Sequence, residues 1–182
     1  MKILSKVSSA MILSTGLLMA SSYSVDNAHS NVGFTVKHMM VTNVHGKFTS
    51  YDAKVEFDDA TKTFKKLVAN IDTKSIDTGI EKRDNHLRSD DFFAVEKFPK
   101  MTFEMTSYKA DGDDGKMTGN LTIRGITKPV VLEVEDISVL GDKVGFSIEG
   151  KINRQDFDLK WNKAIELGGV AVSDEVKIKV DI

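Results

Sequence analysis

The residues best equipped for chemistry crowd into one stretch, Arg83-Asp84-Asn85-His86-Leu87-Arg88-Ser89-Asp90-Asp91. Arg83 and Arg88 suit the oxygens of a polar or pyrophosphate head group, because a guanidinium presents paired donors in a fixed fork. His86 among carboxylates would also serve general acid–base work on a small apolar or lipid-like substrate. Asp84 and Arg88, four apart, equally make a salt bridge along a solvated helix face. The cluster therefore reads as a mouth, as a reaction centre or as a charged helix over the end of a larger fold.

Other chemistry has little to stand on. His29, His38, His45 and His86 are scattered, with no pair at the spacing of a metal site on a helix or strand, so no metal is expected. Ser30 follows His29, but neighbours on a strand point to opposite faces and form no relay. There is no Gly-Xaa-Ser-Xaa-Gly elbow, phosphate-binding glycine loop or dinucleotide fingerprint, and no catalytic residue is assigned. The absence of Cys removes thiolate metal sites, disulfides and cysteine nucleophiles. Asp111-Gly112-Asp113-Asp114-Gly115 lacks the ligand spacing and closing Glu of a calcium loop and reads as a turn. Tyr23, Asp26 and His29, before the first strand, and Asn153, Arg154 and Asp156, after the seventh, are candidates for a hydrogen-bonded plug or rim, with Trp161 packing across a barrel end.

The elements that must position these residues are strands. The 182 residues carry 25 Lys plus Arg against 27 Asp plus Glu, a net charge of -2 that gives nucleic acid no basic face to bind. Lys2 and Lys6 precede an acid-free apolar run from Val7 to Ala20, followed by Ser21-Ser22. This is the pattern of a cleaved signal peptide over residues 1–20, shorter than a membrane span. Export to a periplasm or beyond is expected, with no lipid anchor because no Cys follows, and residues 21–182 form one domain. Apolar residues then alternate with period two. The segments are Val32 to His38, Val44 to Phe57, Leu67 to Ile71, Met101 to Met105, Met117 to Ile123, Val130 to Val134, Phe146 to Ile152 and Val176 to Ile182. Parity slips at Thr49-Ser50, which predicts a bulge or bend there. One short charged helix is expected between strands 3 and 4, over Gly79 to Arg88, with Ile80 and Leu87 inward.

Eight strands, each apolar on one face, bury that face by closing into an antiparallel barrel or by stacking as a sandwich, and closure also removes exposed edges. An eight-stranded barrel is either just filled by side chains or able to hold one small ligand. Gly46, Ala53, Ala69, Gly119 and Gly150 among the inward residues mark either open space or bends, and the pattern does not separate the two.

Four stretches resemble the YceI-like family of secreted bacterial proteins. They are Tyr23-Ser24-Val25-Asp26 with His29-Ser30, continuing through Val32 to Met39 and Gly46-Lys47-Phe48; Ser75 to Gly79, then Arg83 to Phe93 and Phe98 to Phe103; Gly119 to Val130; and Ile152-Asn153-Arg154-Gln155-Asp156-Phe157. The pattern usually continues with Gly; this chain has Asp158. The resemblance implies an all-β, eight-stranded lipocalin-like barrel whose apolar cavity binds polyisoprenoid or other long-chain lipids, isoprenoid quinones among them.

A prenyl or acyl tail offers no hydrogen bonds, so its binding rests on apolar burial at about 0.8 kcal/mol per methylene. Phe and Met suit such a tunnel, and the candidate lining is Phe34, Val36, His38, Phe48, Phe57, Phe92, Phe93, Met101, Phe103, Met105 and Ile123. Arg83, His86 and Arg88 are the candidate head-group residues. The expected protein is a monomeric or homodimeric lipid carrier with no cofactor beyond the lipid and with transient membrane contact. The alternatives are an enzyme using the charged cluster and a stress-response interaction protein whose barrel core is filled.

Overall fold

A computed structural model describes residues 20–39, 41–164 and 171–182. The signal segment expected at residues 1–20 lies outside them except for Ala20. The described residues form one antiparallel sheet of eleven strands with one short helix. The strands are β1 (Ser21–Ser24), β2 (Asn31–His38), β3 (Thr42–Phe48), β4 (Tyr51–Asp58), β5 (Thr63–Asp72) and β6 (Ile76–Asp77), then, after helix α1 (Glu81–Arg88), β7 (Lys100–Asp111), β8 (Asp114–Ile123), β9 (Ile126–Leu140), β10 (Lys143–Asn153) and β11 (Val172–Asp181). Their order across the sheet is β1-β4-β5-β7-β8-β9-β10-β11-β2-β3-β6.

The count exceeds the expected eight for two physical reasons. The expected second strand is cut into β3 and β4 at Thr49-Ser50, where parity slips; and two short strands, β1 and β6, add themselves to β4 and β3. That cut also lets the sheet curl into a barrel. The chain leaves β3, which pairs with β2, and enters β4, which pairs with β5, so one bent run of backbone joins the two ends of the sheet. Across the bend, the Thr49 N–H donates to the Ser75 carbonyl and the Asp72 N–H to that of Ser50.

Tight turns take the residues their geometry demands. Arg124 and Gly125, at φ 51° and 73°, form the two-residue β8–β9 turn, the left-handed pair that matches strand twist. A short 3-10 turn over Arg154–Phe157 ends on Asp158 at φ 60°. Glycine is the usual residue for that conformation, and aspartate tolerates it better than most. Asp158 also accepts from Lys160 at 2.8 Å and Arg124 at 3.5 Å, which holds its carboxyl below the ordinary range, Lys160 being the larger cause. The turn thus forms with Asp158 where the resemblance implied Gly.

Small inward residues divide into two kinds. Gly46, Gly119 and Gly150 lie under the side chains of Phe34, Phe103 and Leu132, which occupy the space a Cβ would need. They are sites of close packing. Ala53 and Ala69, paired across β4 and β5, instead face an internal cavity. In the helix, Ile80 is 53% exposed and only Leu87 turns inward, because Ile80 is the N-cap in extended backbone and not part of the helical face.

Gly119→Ala should push the Phe103 ring from its seat and lower unfolding free energy by about 1–3 kcal/mol; an unchanged urea midpoint would show that the ring relocates freely.

Candidate functional site

The barrel encloses a cavity of about 730 Å³ whose wall is almost wholly apolar. Val32, Phe34 and Val36 of β2, Val55 of β4, Leu67, Ala69 and Ile71 of β5, and Val176, Ile178 and Val180 of β11 share it with the inward residues of β7 to β10. This space excludes the filled core as a description of the barrel. Period two on each strand supplies the wall, since every second side chain points inward.

Of the eleven expected lining residues, Phe34, Val36, Phe48, Phe92, Phe93, Met101, Phe103 and Ile123 stand on the wall. Three do not. Phe57 is fully buried but packs edge-on against Phe64 at 4.9 Å, in an aromatic cluster completed by Tyr108 and Phe146. The β4–β5 register shifts beside it, between Glu56 and Phe57. Met105 precedes the register shift in the β7–β8 pair and packs on the core away from the cavity. His38 is exposed at the end of β2, past the register shift that separates Val176 from Val172 in the paired strand β11. Bulges re-aim side chains in a way that parity alone does not carry.

The two ends of the cavity differ. At one end, the exposed residues on the wall are Ser24, Asp26 and His29 from the β1–β2 segment and Ser138, Leu140, Asp142 and Lys143 from the β9–β10 hairpin. Lys143 acts electrostatically on Asp26, and Asp142 on Tyr23, so the two segments face each other across an opening. His29 Nδ1 lies 2.9 Å from Asp26 Oδ2, and this bond, more than any other cause, holds the Asp26 carboxyl below its ordinary range. Tyr23, Asp26 and His29 thus belong to a rim.

The opposite end, where β8 turns into β9, is plugged. Phe92 and Phe93 cover it, and Arg124 in the turn donates to the carbonyls of Asp90, at 3.0 Å, and Phe92. Trp161 packs on Phe92 at 5.3 Å and on His86 at 4.9 Å, closing that end as expected. Arg154 lies on the wall here, only 3% exposed. Its guanidinium donates to the carbonyls of Ser173 (2.9 Å), Trp161 (2.9 Å), Val172 (3.3 Å) and Leu159 and to Asp174 Oδ1 (3.2 Å). Burial lowers its pKa and Asp174 opposes that shift.

Arg83, His86 and Arg88 were expected at a mouth, but they sit beside the plugged end and off the cavity wall. Arg83 donates to Thr78 Oγ1 and O at 2.7 and 2.8 Å, and Arg88 to the carbonyls of Lys74 and Ile76 at 2.9 and 2.7 Å. His86 lies 2.9 Å from Asp91 and stands edge-on to Phe92. The Asp84–Arg88 ion pair does not form, because Asp84 is buried and accepts from the Thr78 N–H at 2.9 Å. The cluster stitches α1 to the segment before it. Among the described residues, no group of three His, Asp or Glu is placed to hold a metal ion.

A curled antiparallel barrel with a deep apolar cavity, open at one end and plugged at the other, defines the lipocalin-like cavity barrels. Within that class the chain belongs to the YceI-like family, whose YceI-like domain matches residues 23–182. It is 36% identical over 179 residues to protein YceI of Salmonella newport, covering 94% of this chain and 92% of that protein. Its fold is similar to BcnA of Burkholderia cenocepacia, with a TM-score of 0.77 and 28% identity over 86% of this chain and 97% of that one. A polyisoprenoid-binding domain from Saccharophagus degradans shares the fold at a TM-score of 0.59 and 16% identity, covering 89% and 96% of the two chains.

Two substitutions separate the roles at the plugged end. Arg154→Met removes a donor shared by four carbonyls and Asp174, of which Val172 and Asp174 keep Asn162 and Gln155, and should cost about 4 kcal/mol in urea unfolding. Asp158→Ala should cost about 1–2 kcal/mol for the left-handed backbone, whereas Asp158→Gly should lose less; equal losses would assign the cost to the ion pairs and not to the backbone.

Proposed function

We propose that this protein is an exported carrier that sequesters or transports a long-chain isoprenoid, such as an isoprenoid quinone or polyprenyl lipid, or a similar amphiphile. The observation that carries this reading is the apolar cavity of about 730 Å³. An apolar cavity of about 150 Å³ holds one six-carbon ring, so this one has room for roughly thirty carbon atoms. At about 0.3 kcal/mol per atom for a ligand of that size, the affinity is near 9 kcal/mol, a sub-micromolar Kd. The name of the Saccharophagus degradans domain, a polyisoprenoid-binding domain on the same fold, supports the choice of tail. The apolar run over residues 1–20 supports export, and release of the domain at residues 21–182 into a periplasm or beyond follows from its cleavage. The reading is one of binding without turnover: the family model and the apolar wall favour a vessel, and the tail is held by area alone.

Organic extracts of protein purified without detergent should contain a long-chain lipid by mass spectrometry. Ala69→Trp fills the void from β5 and should weaken binding of a fluorescent apolar probe at least about ten-fold while the fold persists by circular dichroism. No lipid in repeated extracts together with no probe binding would end the carrier reading.

A further inference from the structure

Among the described residues, the hairpin turns of this sheet are polar with one exception. Asp59 and Thr61 stand between β4 and β5, Gly112 and Asp113 between β7 and β8, Arg124 and Gly125 between β8 and β9, and Gly141 and Asp142 between β9 and β10. Such residues suit tight turns and hydrate well. The β2–β3 turn instead carries Met39, 44% exposed, and Val41, 78% exposed. Met39 is also held at φ 52°, a left-handed conformation that costs energy for a residue with a Cβ.

Both side chains stay bare. β3 pairs with β2 along its whole length but with β6 only at Lys47 and Phe48, so the outer edge from Thr42 to Gly46 has no strand beside it among the described residues. The Met39 N–H donates to the Ala171 carbonyl at 3.0 Å, which anchors the turn next to Val172 and hence beside the plugged end. Single exposed apolar residues are common, but two in one turn, one of them in strained backbone, work against folding and point to a use outside it.

The flanking charge is basic. Lys37 on the outward face of β2, Lys177 on that of β11 and Lys163, whose carbonyl accepts from the Ala171 N–H at 2.9 Å, are exposed and make no ion pair with a described residue. Asp174 and Glu175, the carboxylates at this end of β11, are already engaged, by Arg154 at 3.2 Å and by Lys151 at 3.6 Å. A stable protein partner takes roughly 800 Å² from each side, far more than two side chains supply. A bilayer asks for less, since a few apolar side chains at the interface and a few cations beside anionic head groups give reversible attachment.

We propose that the β2–β3 turn docks the barrel on an anionic lipid bilayer. Met39 and Val41 enter the interfacial layer, and Lys37, Lys163 and Lys177 face the head groups. β2 carries the chain over eight residues from the rim to this turn, so the docking surface and the opening lie apart, and docking does not depend on what the cavity holds.

The exported form, residues 21–182, contains the whole sheet and leaves out the apolar leader. In co-sedimentation at low salt it should bind mixed phosphatidylglycerol–phosphatidylcholine vesicles at least about five-fold tighter than phosphatidylcholine vesicles, and high salt should close the gap. Met39→Asn/Val41→Ser should weaken that binding at least about ten-fold. Its urea midpoint should hold or rise, because asparagine tolerates the left-handed conformation. Lys37→Gln/Lys177→Gln should lose several-fold on the anionic vesicles alone. The emission of Val41→Trp should move to the blue with anionic vesicles, beyond any change in the unaltered protein. Failure of the unaltered protein to bind anionic vesicles overturns the docking, and equal binding of both vesicle types overturns the role of the lysines. Full binding by Met39→Asn/Val41→Ser, or no emission shift in Val41→Trp if that double variant fails to fold, overturns the assignment to this turn. Lipid extraction and probe binding test the carrier reading separately, so either can fail without the other.

Discussion

A barrel that keeps its centre empty forfeits the packing that a filled core would supply, and something else must hold its ends. Here that constraint falls on the buried Arg154 guanidinium. A charge removed from water is tolerable only when its donors are met, and this one gathers carbonyls from the segment after the 3-10 turn and from the start of β11, together with Asp174. Asn162 adds its own pair of hydrogen bonds to Val172 at the start of β11. Arg154 therefore orders the plugged end, and the apolar wall above it can stay open.

The same economy runs through the wall. Where strands approach closely, glycines sit beneath Phe34, Phe103 and Leu132 and the interior is solid; where Ala53 and Ala69 pair, it is hollow. The aromatic cluster of Phe57, Phe64, Tyr108 and Phe146 provides dense packing beside the void, with Phe146 alone of the four on the wall. Aromatic edge-to-face pairs add stabilisation beyond the area they bury, so a modest cluster offsets part of what the cavity loses. Phe residues consequently serve two purposes in this chain, and residue type alone does not distinguish them.

Polar chemistry is divided by the ends. The arginine-rich stretch that stands out in the sequence closes the barrel, with its donors turned to backbone carbonyls. The rim of the opening is made of ordinary turn residues, Asp142 and Lys143 on a hairpin and Asp26 and His29 on a connection, which no motif singles out as a pair. They meet because β9 and β10 carry their hairpin to the same end as the β1–β2 segment, a juxtaposition across more than a hundred residues of chain.

Alternation by itself determined the strands, the all-β class and even the bend at Thr49-Ser50, because inward and outward side chains differ in hydrophobicity and any slip in phase must appear in the pattern. The four family stretches likewise determined the kind of barrel. What only the tertiary structure decided was which inward residues face the void, which end is open and what the arginines do. Phe57 and Met105 obey the same alternation as Phe103, yet Phe57 sits in an aromatic cluster and Met105 is only partly buried against the core, each beside a register shift in its strand pair. His38 keeps the parity of Phe34 but is exposed, past the register shift in the β2–β11 pair. Parity reports only a face of a strand; the closure of the sheet, its bulges and the partners of each buried charge are long-range properties, and they fix where a face ends and what it meets.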